Sequence, residues 1–265
     1  MGLKLFLKRL LRSGSLQFTR DFDYQGAPIV RTIRIDGQTV HYRPGSSDMS
    51  NINDKLLKGV NEYWIPDQLN PKVIFDIGAN VGTATLAYRK QFPSAKIHCF
   101  EPATENFEML KKNVEPLGNV ETHNFGLGPE DSTAELHGVP NRYGGYSLFE
   151  KGSEKAKVVD TVKIRKCEDV LREVGVEQID LIKIDTEGFE YQILSSFPPK
   201  SLRKVQWIVG ELHSRNDFKL LDVLSKDFDV DIKKTLGKRN SKFNAANRSR
   251  LQELTNGYDI RKLQM

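Results

Sequence analysis

Val73-Ile74-Phe75-Asp76-Ile77-Gly78-Ala79-Asn80-Val81-Gly82 is the stretch on which the reading of this chain turns. A short apolar run enters a glycine-rich turn, and residues 83–92 then read as a helix. A strand that feeds through glycines into a helix is the opening of a β-α-β unit. Glycine lets the backbone turn tightly and lets a ligand approach without a Cβ in the way. The first turn of the helix adds unpaired N–H groups and the positive end of the helix dipole.

Working outward, the alternation continues. Residues 95–100 form a second apolar run that ends at Glu101-Pro102, and residues 105–117 follow as a helix with Phe107, Leu110 and Val114 on one face. Residues 119–125, 179–184 and 205–212 read as further strands, with helices over 189–197 and 217–226. Strands alternating with helices of this length predict parallel β-α-β units, and near-continuous apolar strands predict a sheet covered by helices on both faces. The class is therefore α/β, a Rossmann-like, mostly parallel sheet. Residues 133–162 read as an insertion rich in glycine, with Tyr143, Tyr146 and Phe149 within it, at the end of the sheet where substrate contacts are built.

The alternation begins only at Pro71, so residues 1–70 are expected to form an N-terminal extension and residues 71–265 the main domain. In the extension, residues 30–42 alternate around Asp36-Gly37, a strong hairpin signal. Residues 44–48 read as a loop and residues 53–64 as a lead-in helix. Residues 1–12, MGLKLFLKRLLR, place Leu3, Phe6, Leu7, Leu10 and Leu11 on one helical face and Lys4, Lys8, Arg9 and Arg12 opposite. Such a helix either packs on the domain with a solvated basic face or makes a peripheral contact with an anionic membrane, the first being the favoured reading. Its lysines interrupt any signal-peptide core, and Phe6 stands where a myristoylation site needs Ser or Thr.

Composition sets bounds. The chain has 265 residues, 38% hydrophobic and 28% charged, with a formal net charge of +5. That supplies a real core and excludes a disordered chain. No apolar run approaches the length of about 18 residues that a membrane span needs. Cys99 and Cys167 form no C-x-x-C pair, which fits a reducing cytoplasm and no zinc framework. The basic tail after Lys233, with Lys238, Arg239, Arg248 and Arg250, reads as a solvated face in preference to a nucleic-acid contact.

The turn after residue 77 is not a dinucleotide fingerprint. With Gly78 as the first glycine of G-x-G-x-x-G, Asn80 replaces the second and Gly82 arrives one residue early. The pattern is instead D-x-G-x-N-x-G, which resembles the cofactor loop of class I methyltransferases. Together with Phe100-Glu101-Pro102, Gly144-Gly145-Tyr146-Ser147-Leu148, Lys183-Ile184-Asp185-Thr186-Glu187-Gly188-Phe189-Glu190 and Gly210-Glu211-Leu212-His213, it resembles the FkbM family of methyltransferases over residues 73–213. That resemblance implies a seven-stranded Rossmann-like sheet, S-adenosylmethionine as cofactor, and O-methylation of a hydroxyl on a sugar, glycan or small natural product. It also implies that Asp76, Gly78, Ala79, Asn80 and Gly82 hold the methionine end of the cofactor. Glu101 and Pro102 would meet the ribose, and Asn124 would lie near the adenine. A strand-end carboxylate such as Glu101 can accept both hydrogens of a ribose diol.

A hydroxyl acceptor must lose its proton as the methyl group arrives. The candidate catalytic residues, all at strand ends, are Asp185, Glu187, Glu211 and His213. Asp185 is alternatively an N-cap for the helix behind it, and Glu190 a partner for that helix's dipole. The same four candidates carry the oxygen and imidazole ligands that a divalent cation takes, though no spacing demands a metal. Two other classes stay open at this point: a nicotinamide oxidoreductase on a similar sheet, and a non-catalytic scaffold that keeps the fold. The oligomeric state is not encoded in any pattern found.

Overall fold

The computed structural model describes residues 2–58, 63, 65–139, 143–148, 157–234 and 240–251. In chain order the regular elements begin with α1 (Leu3–Ser13), α2 (Leu16–Asp21), β1 (Arg31–Ile35), β2 (Gln38–Tyr42) and α3 (Ser47–Asn51), which runs into a π-helical turn, Ile52–Leu57. Then come β3 (Val73–Ile77), α4 (Thr83–Gln91), β4 (Lys96–Phe100), α5 (Thr104–Val114), β5 (Val120–His123), β6 (Gly126–Gly128), β7 (Ser132–Gly138), β8 (Lys157–Lys166) and α6 (Cys167–Glu173). The chain continues through β9 (Leu181–Ile184), α7 (Glu190–Ser196), α8 (Pro199–Leu202), β10 (Trp207–Leu212), α9 (Leu220–Leu224), β11 (Phe228–Lys234) and β12 (Ser241–Asn247).

Seven strands form the main sheet in the order β11-β12-β10-β9-β3-β4-β5. From β10 to β5 every pairing is parallel, and β12 runs antiparallel between β10 and β11. The chain winds from β3 outward through β4 to β5, then returns to β9 on the other side of β3. The carboxyl ends of β3 and β9 therefore part at a topological switch point, where α/β sheets bind ligands.

The apolar strands are buried on both faces. Phe75, Ile77, Phe100, Ile182 and Ile184 point into one core; Ile74, Ile97, Cys99, Leu181 and Val209 point into the other. Alternation with period two divides each strand between the layers. Each such side chain, fully buried, contributes about 1.5–3 kcal/mol. Both cysteines are free and buried.

Several expectations are revised. The insertion over 133–162 carries strands that its sequence does not announce: β7 and β8 pair antiparallel, and with β6 they make a three-stranded side sheet. The tail is not simply a basic face, because β11 and β12 complete the main sheet, while Arg248 and Arg250 are exposed beyond it. The loop expected over 44–48 already contains the start of α3, capped by the Ser46 hydroxyl. The expected helix over 53–64 is a π-helical turn as far as Leu57. Residues 59–62 and 64 of that helix, Phe149, Gly152, Lys238 and Arg239 lie outside the described residues.

The segment before β3 packs on α4 and α5. The hairpin β1–β2 buries Ile33, Val40 and Tyr42 with Phe18, Met49, Ile52 and Leu86 of α4. Asn113 of α5 bonds the His41 backbone, and Arg43 reaches Asp48 and Asn106. Helix α1 splits its apolar face. Phe6 and Leu10 are half-buried and Arg9 stacks over Phe22, whereas Leu3 is 74% and Leu11 85% exposed, with Leu7 exposed between them. No helix among the described residues is long and apolar enough to cross a membrane.

Candidate active site

The loop between β3 and α4 is tied to the end of β4. The N–H groups of Gly78 and Ala79 both donate to the Phe100 carbonyl, at 2.9 and 3.0 Å. Gly78 has φ +73°, and a Cβ there would stand 2.0 Å from the Asp185 carbonyl oxygen. Only glycine lets the two strand ends close in this way. Gly82, at φ +85°, presses against Leu110 and Val114, so its part is to seat the loop on α5. Asn80 also takes a positive φ, 52°.

Glu101 follows β4 directly and is 6% exposed. Its carboxylate accepts the Asn80 N–H at 2.8 Å and the Ala103 N–H at 3.0 Å. Burial pushes its pKa up to about 7, a shift these bonds only partly offset. Asn124 donates to the carbonyls of Glu101 and Pro102 at 3.1 Å, fixing the chain on which Glu101 sits.

Lys183 lies wholly buried in β9. Its ammonium pairs with Asp76 at 3.0 Å and donates to the Gly78 carbonyl at 2.7 Å. Burial works against its charge, yet Asp76 and Asp185 outweigh that and raise its pKa. Asp76 also accepts the Thr85 hydroxyl at 2.7 Å. It therefore lies beneath the glycine loop and supports it from behind.

At the tip of β9, burial opposes the charge on Asp185, but Lys183, Lys55 and His213 hold its pKa below the ordinary carboxylate value. Tyr63 donates to it at 2.8 Å. Glu187 has φ 56° and its carbonyl accepts the Ser147 hydroxyl at 2.8 Å. Asp185 does not cap α7. The buried carboxylate of Glu190 does more than complement the helix dipole: it accepts N–H groups from Thr186 and Gly188, and binds His213 Nδ1 at 3.0 Å. Burial raises the Glu190 pKa, with His213 opposing. Burial lowers that of His213, but bonds to Glu190 and Glu211, with Asp185 nearby, push it up to about 11.

One cleft joins these groups. With the open solvent at its mouth it spans about 950 Å³. Of the residues singled out in the sequence, Gly78, Ala79, Asn80, Glu101, Pro102, Asp185 and Glu187 line it. Asp76, Gly82, Asn124, Glu211 and His213 are not on its wall. The first three act behind the wall, as described above, and Glu211 and His213 stand beside Asp185. Sequence reasoning missed Asn51, Lys55, Asn106 and Lys183, which do line it. Of these only Lys183 left a signal, as a lone charge inside an apolar strand, which must be paired when buried.

The profile of the FkbM methyltransferase domain matches residues 76–243, well over half of the chain. The chain belongs to the FkbM methyltransferase family. The match runs beyond His213, through β11 and into β12, so more of the tail belongs to the family than its sequence suggests. The domain is that of an S-adenosylmethionine-dependent methyltransferase, and neither the nicotinamide nor the scaffold reading is favoured.

Methyltransferase 1 of Beauveria bassiana is 30% identical over 61% of this chain and 74% of its own length. The 31-O-demethyl-FK506 methyltransferase FkbM of Streptomyces tacrolimicus is 27% identical over 53% of this chain and 65% of its own. The hexuronic acid methyltransferase AglP of Haloferax volcanii is 26% identical, over 55% and 57% respectively. The chain thus spans between half and three quarters of the length of these relatives.

The wall of the cleft fits the cofactor. Asn80 Oδ1 is buried in the glycine loop with no hydrogen-bond partner. Buried acceptors are seldom left so, and an unmet one at a ligand cradle points to a donor on the ligand.

Proposed function

We propose that this protein transfers a methyl group from S-adenosylmethionine to a hydroxyl of a sugar, glycan or small natural product. The observation that carries the reading is the single cleft that joins the glycine loop and Glu101 to the acid-tipped end of β9. In this reading Gly78, Ala79 and Asn80 hold the methionine end of the cofactor, with Asn80 Oδ1 accepting from its ammonium group. Glu101 accepts the ribose diol, and Pro102, Gly126, Leu127 and Ile164 make the apolar wall for adenine. Asp76 and Gly82 support the loop, and Asn124 supports Glu101.

The acceptor enters past Asn51, Lys55, Tyr143, Tyr146 and Glu187, a lip of polar and aromatic groups suited to a hydroxylated ring. The cofactor supplies a methyl group on a sulfonium, a good leaving group, so positioning gives much of the rate. The acceptor oxygen uses a lone pair to form the new O–C bond. The sulfonium would take back the C–S electron pair as a thioether, and Glu187 is the general base for the hydroxyl proton. The named hydroxyl substrates of the relatives support this acceptor class.

The test is a methyl-transfer screen with labelled cofactor over uronic acids, deoxyhexoses and hydroxylated natural products. Transfer to at least one of them, falling about a hundredfold or more in Glu187→Gln, is expected. Binding of S-adenosylhomocysteine without transfer to any hydroxyl, together with transfer to an amine, would overturn the O-methylation reading.

A second reading concerns α1. Leu3, Leu7 and Leu11 form an exposed apolar stripe beside Lys4 and Lys8, which supports a peripheral contact with anionic lipid. Co-sedimentation with anionic vesicles, absent with neutral ones and lost in Leu7→Glu, is expected. Equal recovery in the supernatant with both vesicle types would sink it.

A further inference from the structure

We propose that Asp185, Glu211 and His213 form a divalent-cation site at the acceptor end of the cleft. The carboxyl ends of β9 and β10 are adjacent parallel strands, and they bring three ligand atoms together. His213 Nε2 stands 3.3 Å from Glu211 Oε2 and 3.7 Å from Asp185 Oδ1. All three atoms lie within 4.8 Å of one another. Ligand atoms placed about 2.0–2.3 Å from one ion stand roughly 3–3.7 Å apart.

The second observation is the hold on the imidazole. The other ring nitrogen, Nδ1, meets Glu190 Oε1 at 3.0 Å. Glu190 is fully buried and is itself fixed by the N–H groups of Thr186 and Gly188. A carboxylate on one nitrogen of a histidine orients the ring and turns the other nitrogen's lone pair to a metal. Here that lone pair faces two carboxylate oxygens. Three electron-pair donors at these distances require something positive among them, either a proton or a cation.

The ligands are held in advance. Tyr63 donates to the far oxygen of Asp185, and Asn240 donates to Glu211. Asp217 accepts the N–H groups of His213 and Ser214, which fixes the turn that carries the imidazole. Charge points the same way. Asp185, Glu190, Glu211 and Asp217 gather around one histidine, against Lys183, which Asp76 also engages, and Lys55. Two carboxylates and an imidazole suit magnesium, manganese or zinc. Asp185 also faces the cleft, so a cation here would touch the acceptor oxygen and lower the pKa of its hydroxyl. That role rests on the methyl-transfer reading; binding of the ion does not.

A second group of potential ligands provides the control. In His98, Glu121 and His123 the nitrogens of the two histidines already bond each other at 3.2 Å, and Lys96 pairs with Glu121 at 2.8 Å.

The experiment is titration of the chelator-stripped full chain with Mn2+, followed by calorimetry and by electron paramagnetic resonance of the bound ion. One ion per chain is expected. His213→Ala and Glu211→Gln should each weaken binding at least about tenfold, and Glu190→Gln by about 10–100-fold. His123→Ala should leave it unchanged, and circular dichroism should report each variant folded. No binding of Mn2+, Mg2+ or Zn2+ by the folded wild type at millimolar concentration overturns the proposal, as does Mn2+ binding that survives both His213→Ala and Glu211→Gln. A parallel titration with S-adenosylhomocysteine separates the two readings. If the nucleoside binds and no ion does, the cation site falls alone; if the ion binds and the nucleoside does not, the cofactor reading falls alone.

Discussion

Glu101 makes the cofactor reading sensitive to pH. Burial lifts its pKa from 4.5 to about 7 in the free protein. A ribose diol donates two hydrogen bonds and needs the ionised carboxylate to receive both. Affinity for S-adenosylhomocysteine should therefore be constant above pH 7 and fall below it. Protonation competes with binding by about tenfold at pH 6 and about a hundredfold at pH 5. Glu101→Gln should remove this dependence. It should also weaken plateau binding by about 10–150-fold, since hydrogen bonds to a charged acceptor contribute about 1.5–3 kcal/mol.

The same shift has a sign in stability. A carboxyl whose folded pKa is raised favours the fold while it is protonated. Its contribution is full below about pH 4.5 and is lost as pH rises through 7, a change of about 3 kcal/mol. The nucleoside should offset that loss, so its stabilising effect on thermal unfolding should grow between pH 5 and pH 8. Calorimetric titration of wild type and Glu101→Gln across that range is the assay, with the difference between the two isolating this carboxyl from other groups. An affinity for S-adenosylhomocysteine that is flat from pH 5 to pH 8 in the folded wild type would refute the reasoning, as would an identical slope in the variant.

Lys183→Met leaves Asp76 charged and buried without its partner, so differential scanning calorimetry should show a loss of about 3–5 kcal/mol, roughly 10 °C in melting temperature. Gly78→Ala and Gly118→Ala share a positive φ, but only the first drives a Cβ into the Asp185 carbonyl. Gly118→Ala should cost about 1–3 kcal/mol in chemical denaturation, whereas Gly78→Ala should lose nucleoside binding altogether. Asn80→Gly keeps the backbone conformation and deletes the unmet oxygen, so S-adenosylhomocysteine should bind about tenfold more weakly with the melting temperature unmoved.

Much of the fold could be read because its signals are local. The apolar runs at residues 73–77, 95–100, 179–184 and 205–212 carry their own period, and the glycine turn carries its own backbone demand. Helix and strand ends fell within a few residues of expectation for that reason. β12 shows the opposite case. Ser241-Lys242-Phe243-Asn244-Ala245-Ala246-Asn247 has weak strand character, and it is made a strand by lying between β10 and β11. The cleft divides in the same way. Glu101 and Asp185 stand at strand tips, which a pattern can place. Asn51, Lys55 and Tyr63 arrive from the segment before β3, and Tyr63 meets Asp185 across 122 positions of sequence. No window of sequence contains that contact.

Strained backbone and charge meet at the switch point. Positive φ values occur at Gly78, Asn80 and Gly82 on one side of the switch point and at Glu187 and Gly188 on the other. Lys183 holds the first of these loops, binding the Gly78 carbonyl and Asp76 from β9. The conformation commits the loop N–H groups to Phe100, Glu101 and Glu190, which fixes the carboxylates at the end of the sheet. Glu101, Asp185, Glu187 and the neighbouring Glu190 and Glu211 then outnumber Lys183 and Lys55. Buried carboxylates in excess raise one another's pKa or require cations. A sulfonium at one end of the cleft and a divalent ion at the other would supply that charge where the carboxylates stand. Lys183 also binds the Gly78 carbonyl, so its loss should release the glycine loop while removing a positive charge beside Asp185. The measurable consequence is that Lys183→Met weakens nucleoside binding without weakening ion binding, while a surface variant of equal charge change, Lys90→Met, changes neither.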